Sequence, residues 1–330
     1  MKKLTAILLA MVMLLGVAVF GTNATAAADD TAWPERDITL IVPSGAGGTM
    51  DLAARLVATK LADILGVNII VENISGAGLW NGWLATLNAP RDGYTFCVYQ
   101  CASLAVARYN EANPHSEGPD DFTKLINHVA DVNALAIRAD DERFNDLESF
   151  IDYAKENIVL CTAGNIGLGN GNATDAEYFN MYFGTNVTVM PVDGEADGMA
   201  RFYAGDTDCF FGSVGDFLSD YDEGIYKVIA LFGEEHSPLM PDVPLLSELT
   251  DSTYTSMSCR GFAFAAGVDQ AIVDKMTAAL IEAAEAAEED CLKIGLQTFI
   301  RTGEEYEALE MSQLVNRLNV YGLTLDDKVA

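Results

Sequence analysis

Ile38-Thr39-Leu40-Ile41-Val42-Pro43-Ser44-Gly45-Ala46-Gly47-Gly48-Thr49-Met50-Asp51 decides the fold class. A β-branched run stops at a proline, a glycine turn follows, and apolar residues then recur at Leu52, Leu56, Val57, Leu61, Ile64 and Leu65. That succession predicts strand, turn and helix. Gly66 stands where a helix stop is expected, and Val67 to Val71 reads as the next strand. A βαβ unit therefore opens the chain after its leader, and the class is α/β.

The same alternation runs outward from this unit. Gly76-Ala77-Gly78 opens a short helix, residues 89–93 turn, and Tyr94 to Tyr99 returns as a strand, so a parallel sheet is expected. A polar, proline-containing stretch from Asn110 to Asp121 breaks the rhythm before Val129 to Ile137 reads as extended. A second series follows: helix 147–156, strand 158–161, helix 175–183, strand 187–190, helix 196–204, and strands 208–211 and 226–232. Gly261 to Ala265 crosses back, and helices at 271–287 and 304–318 close the chain. The expected organisation is two lobes, with residues 29–128 plus 255–330 in one and 129–254 in the other, since a chain of ~300 residues exceeds one ordinary core.

Upstream, Lys2 and Lys3 precede an apolar run from Leu4 to Phe20, and Ala24-Thr25-Ala26-Ala27-Ala28 supplies small residues before Asp29. This is the layout of a cleaved signal peptide over residues 1–28, addressing the chain to the periplasm. No cysteine ends the apolar run, so no lipid anchor is expected there. The formal charge is -30, and removal of Lys2 and Lys3 leaves 17 basic against 49 acidic residues, or -32. Such a surface repels nucleic acid and anionic lipid, and an anionic ligand must find a local positive potential. Six cysteines, at 97, 101, 161, 209, 259 and 291, leave 15 full pairings open. Cys97 and Cys101 share a strand end with no histidine nearby, and buried apolar thiols are the simpler reading.

Enzyme chemistry finds little here. Ser44, Ser75 and Ser213 lack the glycines of a nucleophile elbow, no P-loop or complete G-x-G-x-x-G occurs, and His115, His128 and His236 have no metal-ligand spacing. No cofactor or metal is expected. A sensory subunit that presents its ligand to a membrane kinase would use the same cleft as a transport receptor.

The series Trp33-Pro34, Ile38 to Pro43, Gly47-Gly48-Thr49-Met50-Asp51, Val71-Glu72-Asn73, Gly76-Ala77-Gly78 and Asp92-Gly93-Tyr94-Thr95 resembles the solute-binding proteins of tripartite tricarboxylate transporters, the Bug family. Later landmarks keep the order: Asp121-Phe122-Thr123, Gly164 to Asn172, Gly205-Asp206-Thr207-Asp208 and Pro241-Asp242-Val243-Pro244. The resemblance implies a type II periplasmic-binding fold, two βα lobes with a central ligand cleft. It also implies a small organic carboxylate as ligand, two integral-membrane transporter subunits as partners, and a monomeric receptor.

By this resemblance the ligand is gripped by Ser44, Gly45, Ala46, Gly47, Gly48, Thr49 and Asp51 of the first turn. In the second lobe the counterparts are Ala163, Gly164, Asn165, Gly167 and Gly169. A glycine turn ahead of a helix presents N–H groups at the positive end of the dipole, which suits a carboxylate without any buried Lys or Arg. Val192-Asp193-Gly194-Glu195 stands where the family commonly has Tyr-Lys-Gly-Gly, which favours a monocarboxylate or an amine-bearing carboxylate met by Asp193. Ser213 completes the expected contacts. Arg201 and Arg260 are candidate cations, each to be weighed against an ordinary surface ion pair. Trp80 and Trp83 are weighed as cleft wall against core.

Overall fold

β1 (Ile38–Val42) is buried along nearly its whole length, as a strand covered on both faces must be. The computed structural model describes residues 32–110, 113–163, 171–192 and 195–328. Parallel to β1 lie β2 (Ile69–Asn73) and β3 (Thr95–Gln100). Between β1 and β2 runs α1 (Thr49–Leu65), closed by Gly66 at φ 71. The helix turns Ala53, Ala54, Val57, Ala58 and Leu61 inward, while Leu52 is exposed. The buried stripe is thus carried by small residues, which a count of large apolar side chains overlooks. α2 (Trp80–Leu87) and α3 (Ser103–Ala107) flank β3.

The long strand β4 (Phe122–Arg138) joins the two halves. Its first part, Phe122 to Val132, pairs antiparallel with β9 (Met257–Ala265); its second part, from Asn133, pairs with β7 (Cys209–Ser213) and β8 (Tyr226–Leu231). Partners change at Asn133, whose N–H donates to Ser256 C=O at 3.1 Å while its own carbonyl accepts from Phe232 N–H at 2.8 Å. Beyond β7 the parallel strands β5 (Ile158–Thr162) and β6 (Asn186–Met190) complete the order β2-β1-β3-β9-β4-β7-β5-β6. The sheet is mixed and not wholly parallel, because β9 runs antiparallel to β3 and β4, and β4 runs antiparallel to β7 and β8.

α4 (Leu147–Glu156), α5 (Gly171–Phe183) and α6 (Glu195–Ala204) alternate with the second set of strands, followed by α7 (Val214–Phe217) and α8 (Leu246–Leu249). α9 (Gln270–Lys293) packs along α1, β10 (Gln297–Arg301) adds to β4, and α10 (Gly303–Val320) ends the fold against α5, α3 and β4. No helix among the described residues is long and apolar enough to cross a membrane. All six cysteines are buried. Trp80 and Trp83 belong to the core; the Trp83 indole N–H donates to Val98 C=O at 3.2 Å and Trp80 stacks on His115.

Candidate functional site

The turn after β1 is built around one buried carboxylate. Asp51, only 2% exposed, accepts from Gly47 N–H at 2.8 Å, from Arg55 Nε at 3.0 Å and from Asn73 Nδ2 at 2.9 Å. Asn73 Nδ2 also donates to Ser44 C=O at 3.0 Å, so strand, turn and helix are tied together. Burial pushes the Asp51 carboxyl up, but Arg55, Gly47 N–H and the Asn73 amide outweigh it and hold the group below its ordinary value. Gly47 sits at φ +85, where a side chain is strained. With its oxygens already engaged, Asp51 shapes the turn. Residues 45–49 are exposed, and the buried Ser44 hydroxyl has no partner.

Where β3, β4, β7 and β9 meet the start of α5, a cavity of about 160 Å³ opens. Gln100, Ser103, Asp131 and Asn133 contribute from β3, the start of α3 and β4. Gly171 and Asn172 come from α5, Ser213 from β7, Met257, Ser258 and Arg260 from β9, and Arg317 from α10. Both halves of the fold therefore line it, at strand ends and helix starts, where α/β proteins place ligands.

Two guanidinium groups dominate its chemistry. Among the described residues, Nε and Nη1 of Arg260, and Nη1 of Arg317, are buried without hydrogen-bond partners. Arg317 as a whole is 6% exposed. Its Nη2 lies so close to α5 that a methyl group at Gly171 would stand 3.2 Å away. Buried polar hydrogens left unmatched cost free energy, and an entering anion removes that cost.

Acids are present but largely committed. Asp131 accepts from Gly215 N–H at 3.3 Å, and burial pushes its carboxyl up to about 6 against the pull of Arg260. Asp216, raised by burial, accepts from Ser213 N–H and Oγ at 2.8 and 3.0 Å. Asp175 accepts from Tyr254 OH and Asn133 Nδ2, both at 2.7 Å, and burial also raises it to about 6. Near neutrality Asp131 and Asp175 are therefore ionised and offset the two guanidinium charges, and as pH falls through about 6 they take up protons and the cavity becomes more positive.

Of the expected contacts, Ser213 lines this cavity; Ser44 to Thr49 and Asp51 do not. Ala163 is buried in the core of the second half. Gly164, Asn165, Gly167, Gly169 and Asp193 lie outside the described residues. Arg260 faces the cavity, whereas Arg201 makes a half-exposed ion pair with Asp197 at 3.2 Å. The expectation was a site without buried cations; in this cavity β9 and α10 carry two of them inward. Arg317 was not anticipated. Its signal was its place in the buried stripe Leu309, Gln313, Leu314, Arg317 and Leu318 of α10. A larger groove of about 920 Å³ runs between α4 and β8, but among the described residues no unmatched buried polar group lines it.

Residues 53–314 match the model of the tripartite tricarboxylate transporter family receptor. The UPF0065 protein of the gbd 5′ region of Cupriavidus necator is 27% identical over 299 residues, 88% of this chain and 87% of that protein. A solved TctC solute binding protein from Polaromonas, without ligand, aligns with a TM-score of 0.77 at 24% identity, over 88% of this chain and 99% of that one. A Rhodopseudomonas palustris protein with adipate aligns at 0.72 and 22% identity, over 88% and 97%. MatC of the same organism, with bound malate, aligns at 0.68 and 23%, over 87% and 99%. These likenesses carry the two-lobed periplasmic-binding fold. The family match extends over most of the chain, and the protein belongs to the tripartite tricarboxylate transporter receptor family, a family of solute-binding receptors and not of enzymes.

Proposed function

We propose that this receptor captures a small organic carboxylate in the cavity between its lobes and delivers it to two integral-membrane transporter subunits. The observation that carries this reading is that buried guanidinium nitrogens of Arg260 and Arg317, unmatched among the described residues, share one cavity. Related folds that hold adipate and malate support the same ligand class. The protein acts as a monomer in the periplasm after loss of residues 1–28. The lobes, 29–128 plus 255–330 and 129–254, close about the crossings of β4 and β9. Ser213 contacts the ligand, as do residues of the turn from Ser44 to Asp51 and Ala163, Gly164, Asn165, Gly167 and Gly169, with Asp193 meeting an amine where the ligand bears one.

A thermal-shift panel of mono-, di- and tricarboxylates, sugars and metal cations tests the reading. At about 100 times its dissociation constant a ligand adds roughly 2.7 kcal/mol to the folded state. At least one short carboxylate raises Tm; a panel in which only sugars or cations do so defeats the reading.

Binding also depends on pH. Above about pH 6 Asp131 is ionised, and its charge, with that of Asp216, opposes an anion beside Arg260. As pH falls through that value Asp131 takes up a proton and the cavity becomes more positive. Calorimetry is expected to give roughly three- to tenfold tighter carboxylate binding at pH 5.5 than at 7.5. Asp131→Asn flattens that dependence, and a profile that rises with pH contradicts it.

The turn after β1 has its own test. Gly47→Val forces a branched side chain to φ +85 and is expected to weaken carboxylate binding at least roughly tenfold through loss of turn order. If the variant melts normally and binds with wild-type affinity, this turn has no part in the site.

A further inference from the structure

We propose that Cys101 and Cys259 form a disulfide site that staples the strand pair carrying the cavity wall. The two meet through register: β3 and β9 pair antiparallel with Gln100 opposite Arg260. One step further along both strands sets Cys101 against Cys259, and Cys101 N–H donates to Cys259 C=O at 3.1 Å. Directly opposed residues of antiparallel strands hold their Cα atoms about 4.5–5.5 Å apart, within the span of roughly 4.4–6.8 Å that a disulfide bridges.

The side chains are also together. Both are buried, and the thiols approach within hydrogen-bonding reach. That contact with Cys259, reinforced by burial, pushes the Cys101 thiol well above its ordinary value. The chain turns sharply at Ala102, which takes φ 63. A bond from Cys101 to β9 therefore holds the end of β3 where Gln100 and Ser103 border the cavity, beside Arg260.

Closure joins the two Sγ atoms. Their protons pass to solvent and their two electrons to an external disulfide, which leaves as two thiols. In the finished fold both thiols are buried away from an external disulfide, and Cys101 is held well above its ordinary value, so the bond forms before β9 settles on β3. An exported protein meets such disulfides in the periplasm.

The full chain, unfolded and reduced, is refolded in a mixture of reduced and oxidised glutathione, blocked by alkylation and digested without reductant. The bond must be assigned by peptide and not by thiol count, because Cys161 and Cys209 also face each other across β5 and β7, while Cys97 faces Ala263 and Cys291 faces His128. The expected result is a peptide linking Cys101 to Cys259 in the folded fraction. Its Tm exceeds that of the reduced protein by roughly 5 °C or more, a gain missing from Cys259→Ala. Recovery of Cys101 and Cys259 both alkylated, or of either joined to another cysteine, overturns the proposal. Ligand affinity is not read in this test, so its outcome stands apart from that of the carboxylate assignment.

Discussion

Replacing Arg317 by methionine weakens binding of a short dicarboxylate such as adipate or malate about a hundredfold, while the ligand-free protein melts no lower than wild type. The two halves of this expectation have different physical sources. Methionine keeps most of the buried volume on α10 but removes a charge-assisted donor that only the ligand satisfies, and such bonds contribute about 1.5–3 kcal/mol each. Without ligand, Arg317 Nη1 is buried and unmatched among the described residues; its removal relieves that desolvation cost, which offsets the lost attraction between Arg317 and the buried Asp175. Calorimetric titration with parallel melting curves separates the two. Affinity within about threefold of wild type removes Arg317 from the site. A fall in Tm with no loss of affinity makes it a structural residue instead.

Gly261→Ala is expected to be the most destabilising single methyl group in the chain. A Cβ there would stand 2.1 Å from Ile126 C=O, 2.6 Å from Tyr306 OH and 2.7 Å from Asn127 Cα. Gly261 lies opposite Tyr99 on β3 and Asn127 on β4, so the clash falls on backbone in the middle of three strands and cannot be relieved by a side-chain rotation. Overpacking of this kind costs about 3 kcal/mol or more, a fall in Tm of roughly 6 °C or more for a protein of this size. Arg260, the adjacent residue, shifts with the strand, so carboxylate affinity falls as well. Gly45→Ala is the control, since a Cβ there meets nothing within 4 Å. A melting temperature for Gly261→Ala equal to that of the control contradicts the packing described for β9.

Much of the fold was legible because local chemistry and tertiary packing agree. The proline after Val42, the glycines from Gly45 to Gly48 and the stop at Gly66 mark β1 and α1 without any partner. Strand β2 lies two residues later than its apolar run suggests, because the chain needs Val67 and Asn68 to leave the left-handed Gly66. β4 begins at Phe122, earlier than the extended run from Val129. Lys124, Asn127 and His128 interrupt the apolar pattern, yet each has a partner inside: Lys124 donates to Glu307 and Glu310, Asn127 Nδ2 donates to Phe299 C=O, and His128 lies against Cys291. β10 escaped notice since Gln297 to Arg301 alternates too briefly between two long helices. α5 begins at Gly171, before the apolar stretch that announces it.

The site was less legible than the fold for a topological reason. Glycine turns advertise possible cradles locally, and that drew attention to the turn after β1. The cavity gathers residues from 100 to 317, and apart from the place of Arg317 in an apolar stripe the sequence gives no local sign that separates Arg260 and Arg317 from the surface pair of Arg201 with Asp197. Arg260 alternates with Cys259 and Gly261 on a strand buried at nearly every position. Arg317 keeps step with Leu314 and Leu318 on a buried helix face. Only the packing of β9 and α10 around one space turns two isolated arginines into a pair.

The most direct test of the central claim is a crystal structure of the protein grown with malate or adipate. A carboxylate of the ligand is expected within hydrogen-bonding distance, about 2.7–3.2 Å, of Arg260 or Arg317 nitrogens, with Ser213 at its side. Ligand density in the groove between α4 and β8, or density in the cavity that leaves both guanidinium groups untouched, would contradict the account.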